Sequence, residues 1–229
     1  MRVFFLLATL SVTAPTPAEE RAKYDRLSLA ANNVPERHIF ACSRSIDSGS
    51  LARISLAQAY YARGRAQADL RHRTQAIDDC SQTIRLDPSH VNAFHDRGKT
   101  RENAGRFRSS LRDYDNALAR DPDFAAALHS KAWLLATAPD AAIRDGEQAV
   151  RLVLRALHLV ADPEHQGTLA ASYAEAGRFE EVVRAQEVAI ARLLTTYRVL
   201  LLPDYRSCLA RCRAGRHFTA EPNNFACQD

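Results

Sequence analysis

Beyond Ala18 the sequence has no run of alternating β-branched and polar residues, which excludes a half-buried sheet as the main architecture. No later segment is apolar enough to span a bilayer, which takes about 20 apolar residues. The chain also lacks a GxSxG turn, a phosphate-binding loop, an HExxH pair and any glycine-rich turn after a strand, so the standard catalytic signatures are missing. Glycine is scarce, with 8 among 229 residues, while 46% hydrophobic and 25% charged residues can bury a sizeable core rather than stay disordered. What remains is Ala, Leu, Arg, Glu and Gln in long stretches with short breaks, the composition of an all-α chain.

The opening segment 1–18, MRVFFLLATLSVTAPTPA, stands apart. A basic start at Arg2, an apolar run from Val3 to Val12 and a small-residue end at Ala18 resemble a secretory signal peptide. A membrane anchor or a first core helix are the alternatives, but the apolar run is half as long as the ~20 residues of a spanning helix. The expectation is an exported chain, periplasmic or secreted, that begins at Glu19. Removal of this segment takes away one Arg and no acid, so the formal charge falls from +4 to +3. Arg and acidic residues are interspersed along the rest, which makes a solvated surface and not a nucleic-acid-binding stripe.

The helical runs end in Asp-Pro twice, at Pro88 and Pro122. With those prolines at place 32 of a 34-residue unit, one unit covers 57–90 and the next 91–124. Tyr60 and Phe94 then share place 4, Arg63-Gly64 and Arg97-Gly98 share places 7 and 8, Ala76 and Ser110 share place 20, and Cys80 meets Tyr114 at place 24. Small residues at places 8 and 20 let two antiparallel helices approach closely, and larger ones at 4, 24 and 28 fill the space to the next pair. Proline at place 32 ends the second helix. Such a pair cannot bury both its apolar faces alone, so units must stack.

These residues, with AIDDCSQTIRLDP at 76–88 and LRDYDNALARDP at 111–122, resemble the tetratricopeptide repeat in its bacterial, exported form. The resemblance implies a right-handed superhelical solenoid of antiparallel helix pairs. The frame extends to 163–199, where TLAASYAEAGRFEEVVRAQEVAI is the best-matched stretch, and leaves 125–162 as a unit with four extra residues around TAPDAAIRDG. Upstream, 19–56 reads as a degenerate capping unit, with a first helix near 21–31 and Cys42 set opposite Cys80. Downstream, 200–229 reads as a capping helix near 203–212 followed by a loose tail.

The resemblance implies a non-catalytic scaffold that binds a peptide or protein segment in a concave groove, with no cofactor. Places 2, 5, 9, 12 and 13 would face the peptide. They are Gln58, Tyr61, Arg65, Ala68 and Asp69, then Asn92, His95, Lys99, Glu102 and Asn103, then Ala126, His129, Trp133, Ala136 and Thr137. Some members grip a terminal carboxylate with Lys at place 5 and Asn at places 6 and 9; this chain has other residues there, so that clamp is not expected. Tyr61, His95 and His129 would form a ladder flanked by Arg65, Lys99 and Trp133.

A rival reading is an enzyme or metal-binding accessory protein with its site in the C-terminal cap. Cys208, Cys212, His217 and Cys227 could supply ligands, although their spacing matches no familiar zinc pattern. A disulfide from Cys227 to Cys208 or Cys212 and a set of incidental thiols are the other readings. Cys42 and Cys80 read as core residues, since repeats stack at helix-packing distances of ~8–10 Å, beyond disulfide reach. The charge runs RHR at 71–73 and RDYD at 112–115 read as solvated helix ends and faces.

Overall fold

A computed structural model describes residues 34–160 and 162–195. The segment 1–18 expected to be a signal peptide, the helices expected near 21–31 and 203–212, and Cys208, Cys212, His217 and Cys227 lie outside the described residues. Within them the chain is all helical. The elements are α1 (Val34–Asp47), α2 (Arg53–Asp69), α3 (Arg73–Leu86), α4 (Val91–Glu102), α5 (Phe107–Arg120), α6 (Ala125–Thr137), a 3₁₀ turn (Ala141–Ile143), α7 (Gly146–Leu159), α8 (Pro163–Glu175) and α9 (Phe179–Thr195). Each helix packs on its sequence neighbours, and α6 also packs on α8. The protein is a tetratricopeptide-type solenoid of stacked helix pairs.

Asp-Pro ends α3 and α5 by the same means. Asp87 (φ −133°, ψ 90°) and Asp121 (φ −134°, ψ 95°) are extended, the conformation that steric contact with a following proline imposes. Each carboxylate then closes the turn it begins. Asp87 Oδ1 accepts from the Ser89 N–H at 3.0 Å, and Asp121 Oδ1 from the Asp123 N–H at 3.1 Å.

The turn between paired helices also repeats. Residues at place 15 are left-handed in three units: Arg71 at φ 60°, Gly105 at 71° and Gly177 at 72°. In each, the next N–H reaches back to close a Schellman-type cap, from His72 to Gln67, Arg106 to Arg101 and Arg178 to Tyr173, all at 2.8 Å. The third unit replaces this turn with the longer connection 138–145. Its Ile143 packs with Tyr114, Leu134 and Ala138, so the extra residues carry an apolar anchor of their own.

Close approach within a pair is visible in two units. A Cβ on Gly64 would meet Asp79 Cβ at 3.1 Å and Ala76 O at 3.4 Å, and one on Gly98 would meet the Tyr114 ring at 2.8 Å. Ser110 Oγ donates to the Gly98 carbonyl at 2.7 Å across the same contact.

Two readings of the sequence need correction. Within RDYD, only Arg112 and Asp115 are exposed; Asp113 and Tyr114 are buried at 1% and 0% exposure. Asp113 is buried because Arg97 grips it with two N–H groups at 3.1 and 2.8 Å, while Arg101 adds a third contact at 2.6 Å. The pair recurs one repeat earlier, where Arg63 holds Asp79 at 2.8 and 2.8 Å. Each arginine also reaches the preceding pair, Arg63 to Ser43 at 3.1 Å and Arg97 to Ser81 at 3.0 Å, so one guanidinium ties three helices. Of the two cysteines expected in the core, Cys80 is buried, whereas Cys42 is only half-buried on α1, a helix with no buried residue. Both thiols are free.

Candidate functional site

Helices α2, α4, α6 and α8 are the first members of successive pairs, and their contacts follow one register. Tyr61 Oη donates to Asp96 Oδ2 at 2.8 Å, His95 Nε2 lies 3.1 Å from Ser130 Oγ, and His129 Nε2 lies 2.7 Å from Thr168 Oγ1. In every case a place-5 side chain meets place 6 of the next unit. The first two separations are 35 residues and the third is 39, longer by the four residues inserted in unit three. The ladder expected along the groove is therefore a set of staples between repeats, and each of its three side chains is already engaged by the next unit.

Asp96 is the centre of this network. It also accepts from His95 Nδ1 at 3.0 Å, and Arg65 Nε stands 4.0 Å away. Burial opposes its charge, but the hydrogen bonds from His95 and Tyr61 outweigh that cost and hold its pKa below the usual carboxylate value. Burial and then the adjacent carboxylate raise the Tyr61 phenol, which stays protonated as a donor. Ser130, His95 and Asp96 thus follow the order of a hydroxyl–imidazole–carboxylate relay. Ser130, however, lies in the interior of α6, where the neighbouring N–H groups bond along the helix and form no oxyanion hole. With Tyr61 the relay joins three repeats.

His129 has a different environment. Burial, followed by the His165 ring at 4.5 Å, pulls its pKa down to about 4, so it is a neutral hydrogen-bonding group at pH 7. Trp133 is half-buried against the core that holds Ala132, Leu135 and Ala136. Thr137 Oγ1 donates to the Trp133 carbonyl at 2.8 Å. Glu102 accepts from Tyr114 Oη at 2.6 Å, and burial raises its pKa. Gln58, Arg65, Ala68, Asp69, Asn92, Lys99 and Asn103 are exposed.

Between α2 and α4 lies a cavity of about 270 Å³. The buried Gly64, Cys80 and Thr100 line its floor; the half-buried Asp96 and the exposed Arg65, Ala68, Asp69, Lys99 and Asn103 line its walls. Five of the wall residues are groove positions expected from the sequence, but nothing in their spacing signals a cavity. Among the described residues no group of three or more His, Cys, Asp or Glu side chains is placed to hold a metal, and no helix is long and apolar enough to cross a membrane.

This architecture is shared with solved structures. The chain superimposes on the protein MamA with a TM-score of 0.61 at 12% identity, covering 82% of this chain and 99% of that one. It matches a thermophilic TPR protein of Thermus thermophilus with a TM-score of 0.59 at 18% identity, covering 83% and 96%. It matches residues 41 to the end of MamA from Desulfovibrio magneticus RS-1 with a TM-score of 0.58 at 16% identity, covering 75% and 91%. No protein-family model and no curated protein matches the sequence. At these identities the likeness establishes the fold, a tetratricopeptide-like solenoid.

Proposed function

We propose that the protein is a non-catalytic interaction scaffold whose concave groove binds an extended segment of a partner protein. One observation carries this reading. The side chains of Lys99, Asp69 and Asn103 make no hydrogen bond or ion pair with other described residues, although Tyr61, His95, Asp96, Glu102 and His129 in the same groove are all engaged. Those three side chains converge with Arg65 on the cavity. Such a wall suits a segment that offers an acidic group to Arg65 and Lys99 and an apolar side chain to Trp133. Export follows as part of the proposal: mature protein from the envelope fraction should begin at Glu19, and intact Met1 on cytoplasmic protein would contradict it.

The groove is tested by hydrogen exchange on the mature chain with its captured partner. Slowed exchange in α2, α4 and α6, with α3, α5 and α7 unchanged, supports groove binding; slowing confined to the second helices places the partner on the convex side.

A further inference from the structure

The repeat frame explains why the groove has a cavity between its first two complete units, and what that cavity accepts. Its floor and wall can be compared with the residues one period later. Ala68 corresponds to Glu102, Cys80 to Tyr114, Lys99 to Trp133 and Thr100 to Leu134. In the later position the space is filled: Tyr114 is fully buried, packs with Leu134, and sends its hydroxyl to Glu102 at 2.6 Å. In the earlier position all four residues are smaller or more flexible, and the space is open. Both positions have glycine at place 8, Gly64 and Gly98, so the backbone makes the same room in each.

From this we infer that the cavity is a receptor for one side chain of the partner, a glutamate, that takes the berth filled by Tyr114 in the next unit, and that Cys80 determines whether it can enter. This deepens the groove reading and rests on it. The residues of the wall set the chemistry. Arg65 and Lys99 bring a surplus of N–H donors, and Asn103 adds an amide. On the acceptor side, Asp96 is already bonded to Tyr61 and His95 and stands 4.0 Å from Arg65, and Asp69 is exposed to water, so Lys99, Asn103 and the remaining N–H groups of Arg65 are the donors left for a ligand. A donor-rich wall recognises a carboxylate. Ala68 is exposed beside the cavity and offers an apolar surface to an aliphatic stem, while the carboxylate beyond that stem reaches the donors of the wall. A chain-terminal carboxylate has no such stem.

Cys80 is 2% exposed, and burial pushes its thiol up to about 12. It acts here as a small wall, not as a nucleophile.

The probe is an acetylated and amidated hexapeptide with one central glutamate among glycine and serine, followed through the backbone amide signals of Gly64, Ala68 and Thr100 in the ¹⁵N-labelled mature protein. Two further peptides carry glutamine instead, or glutamine with a free C-terminal carboxylate. The glutamate peptide is expected to bind at least tenfold more tightly than either. Cys80→Tyr combined with Thr100→Leu copies the filled unit without changing charge, and should melt no lower than wild type while losing tenfold or more in affinity. Cys80→Tyr alone provides the same test if the double variant is unstable.

Equal binding of the glutamine peptide, preference for the free carboxylate, no binding to the wild type, or undiminished binding to the filled variant would each overturn the inference. A captured partner that still binds the filled variant, but is lost on reversing charge at Arg65 and Lys99, would remove the pocket and leave the groove.

Discussion

Gly98→Ala tests the packing frame at its tightest point. In an exposed helix the change would gain about 1 kcal/mol from helix propensity. Here the new Cβ would stand 2.8 Å from Tyr114 Cε1, 3.0 Å from Cδ1 and 3.2 Å from Asp113 Cβ. None of these atoms has an easy retreat. Tyr114 is fully buried and hydrogen-bonded to Glu102, and Asp113 is held by Arg97 and Arg101. Overpacking a rigid contact costs about 1–3 kcal/mol, so after the propensity gain the net effect is a loss of about 1 kcal/mol for alanine and about 2 kcal/mol for leucine.

Gly64→Ala provides the internal control. Its Cβ would meet only Asp79 Cβ and backbone atoms, at 3.1 Å and beyond, since Cys80 stands where Tyr114 would be. Strain and propensity should nearly cancel there. Urea unfolding followed by circular dichroism measures both. A Gly98→Ala variant as stable as wild type, or less affected than Gly64→Ala, would refute the seating of Tyr114 against α4.

Other perturbations follow from the same contacts. Asp113→Ala leaves Arg97 and Arg101 without their buried carboxylate and should lower unfolding free energy by about 3 kcal/mol, measured in urea. Arg71→Gly relieves a left-handed arginine at a place where two other units have glycine, and should stabilise by about 1 kcal/mol in the same assay. His129 faces His165 and Asp162 from the α8 side and Lys99 and His95 from α4, and its folded pKa of about 4 lies below the unfolded value of 6.5. The unfolded chain therefore takes up the proton first, and this group lowers stability as pH falls from about 6.5 to about 4, by about 2 kcal/mol at pH 5. Melting curves of His129→Gln should lose that part of the acid sensitivity; an unchanged pH profile would contradict the burial of the ring.

The pairing of helices was legible in the sequence because it depends on places inside one unit. Gly64 with Ala76 and Gly98 with Ser110 could be read from the repeat spacing alone, and the structure brings them together. Stacking between units was less legible. The Tyr61–Asp96, His95–Ser130 and His129–Thr168 contacts join place 5 to place 6, and nothing within a single unit specifies that offset. The burial of Asp79 and Asp113 did leave a signal: arginine at place 7 and aspartate at place 23 recur together in both units. Two formal charges in each pair obscured it, since a charged run is solvated unless its partner lies opposite.

The staples also alter how the groove must be tested. Tyr61→Ala would break a contact between repeats, so loss of binding in that variant would not separate recognition from stacking. Arg65 and Lys99 offer a cleaner perturbation, since neither joins two repeats by a hydrogen bond among the described residues, and the ion pair of Arg65 with Asp96 is long, at 4.0 Å, and exposed on the arginine side. The most direct measurement is the affinity of the captured partner for Arg65→Glu/Lys99→Glu, beside the charge-matched control Arg85→Glu/Arg151→Glu on exposed positions of the second helices. A groove that presents its cations to an acidic segment predicts at least a tenfold loss for the first variant and less than a twofold change for the control, with both variants fully helical and folded at the assay temperature. Unchanged affinity in the first variant, or equal loss in the two, would contradict the groove as the binding surface.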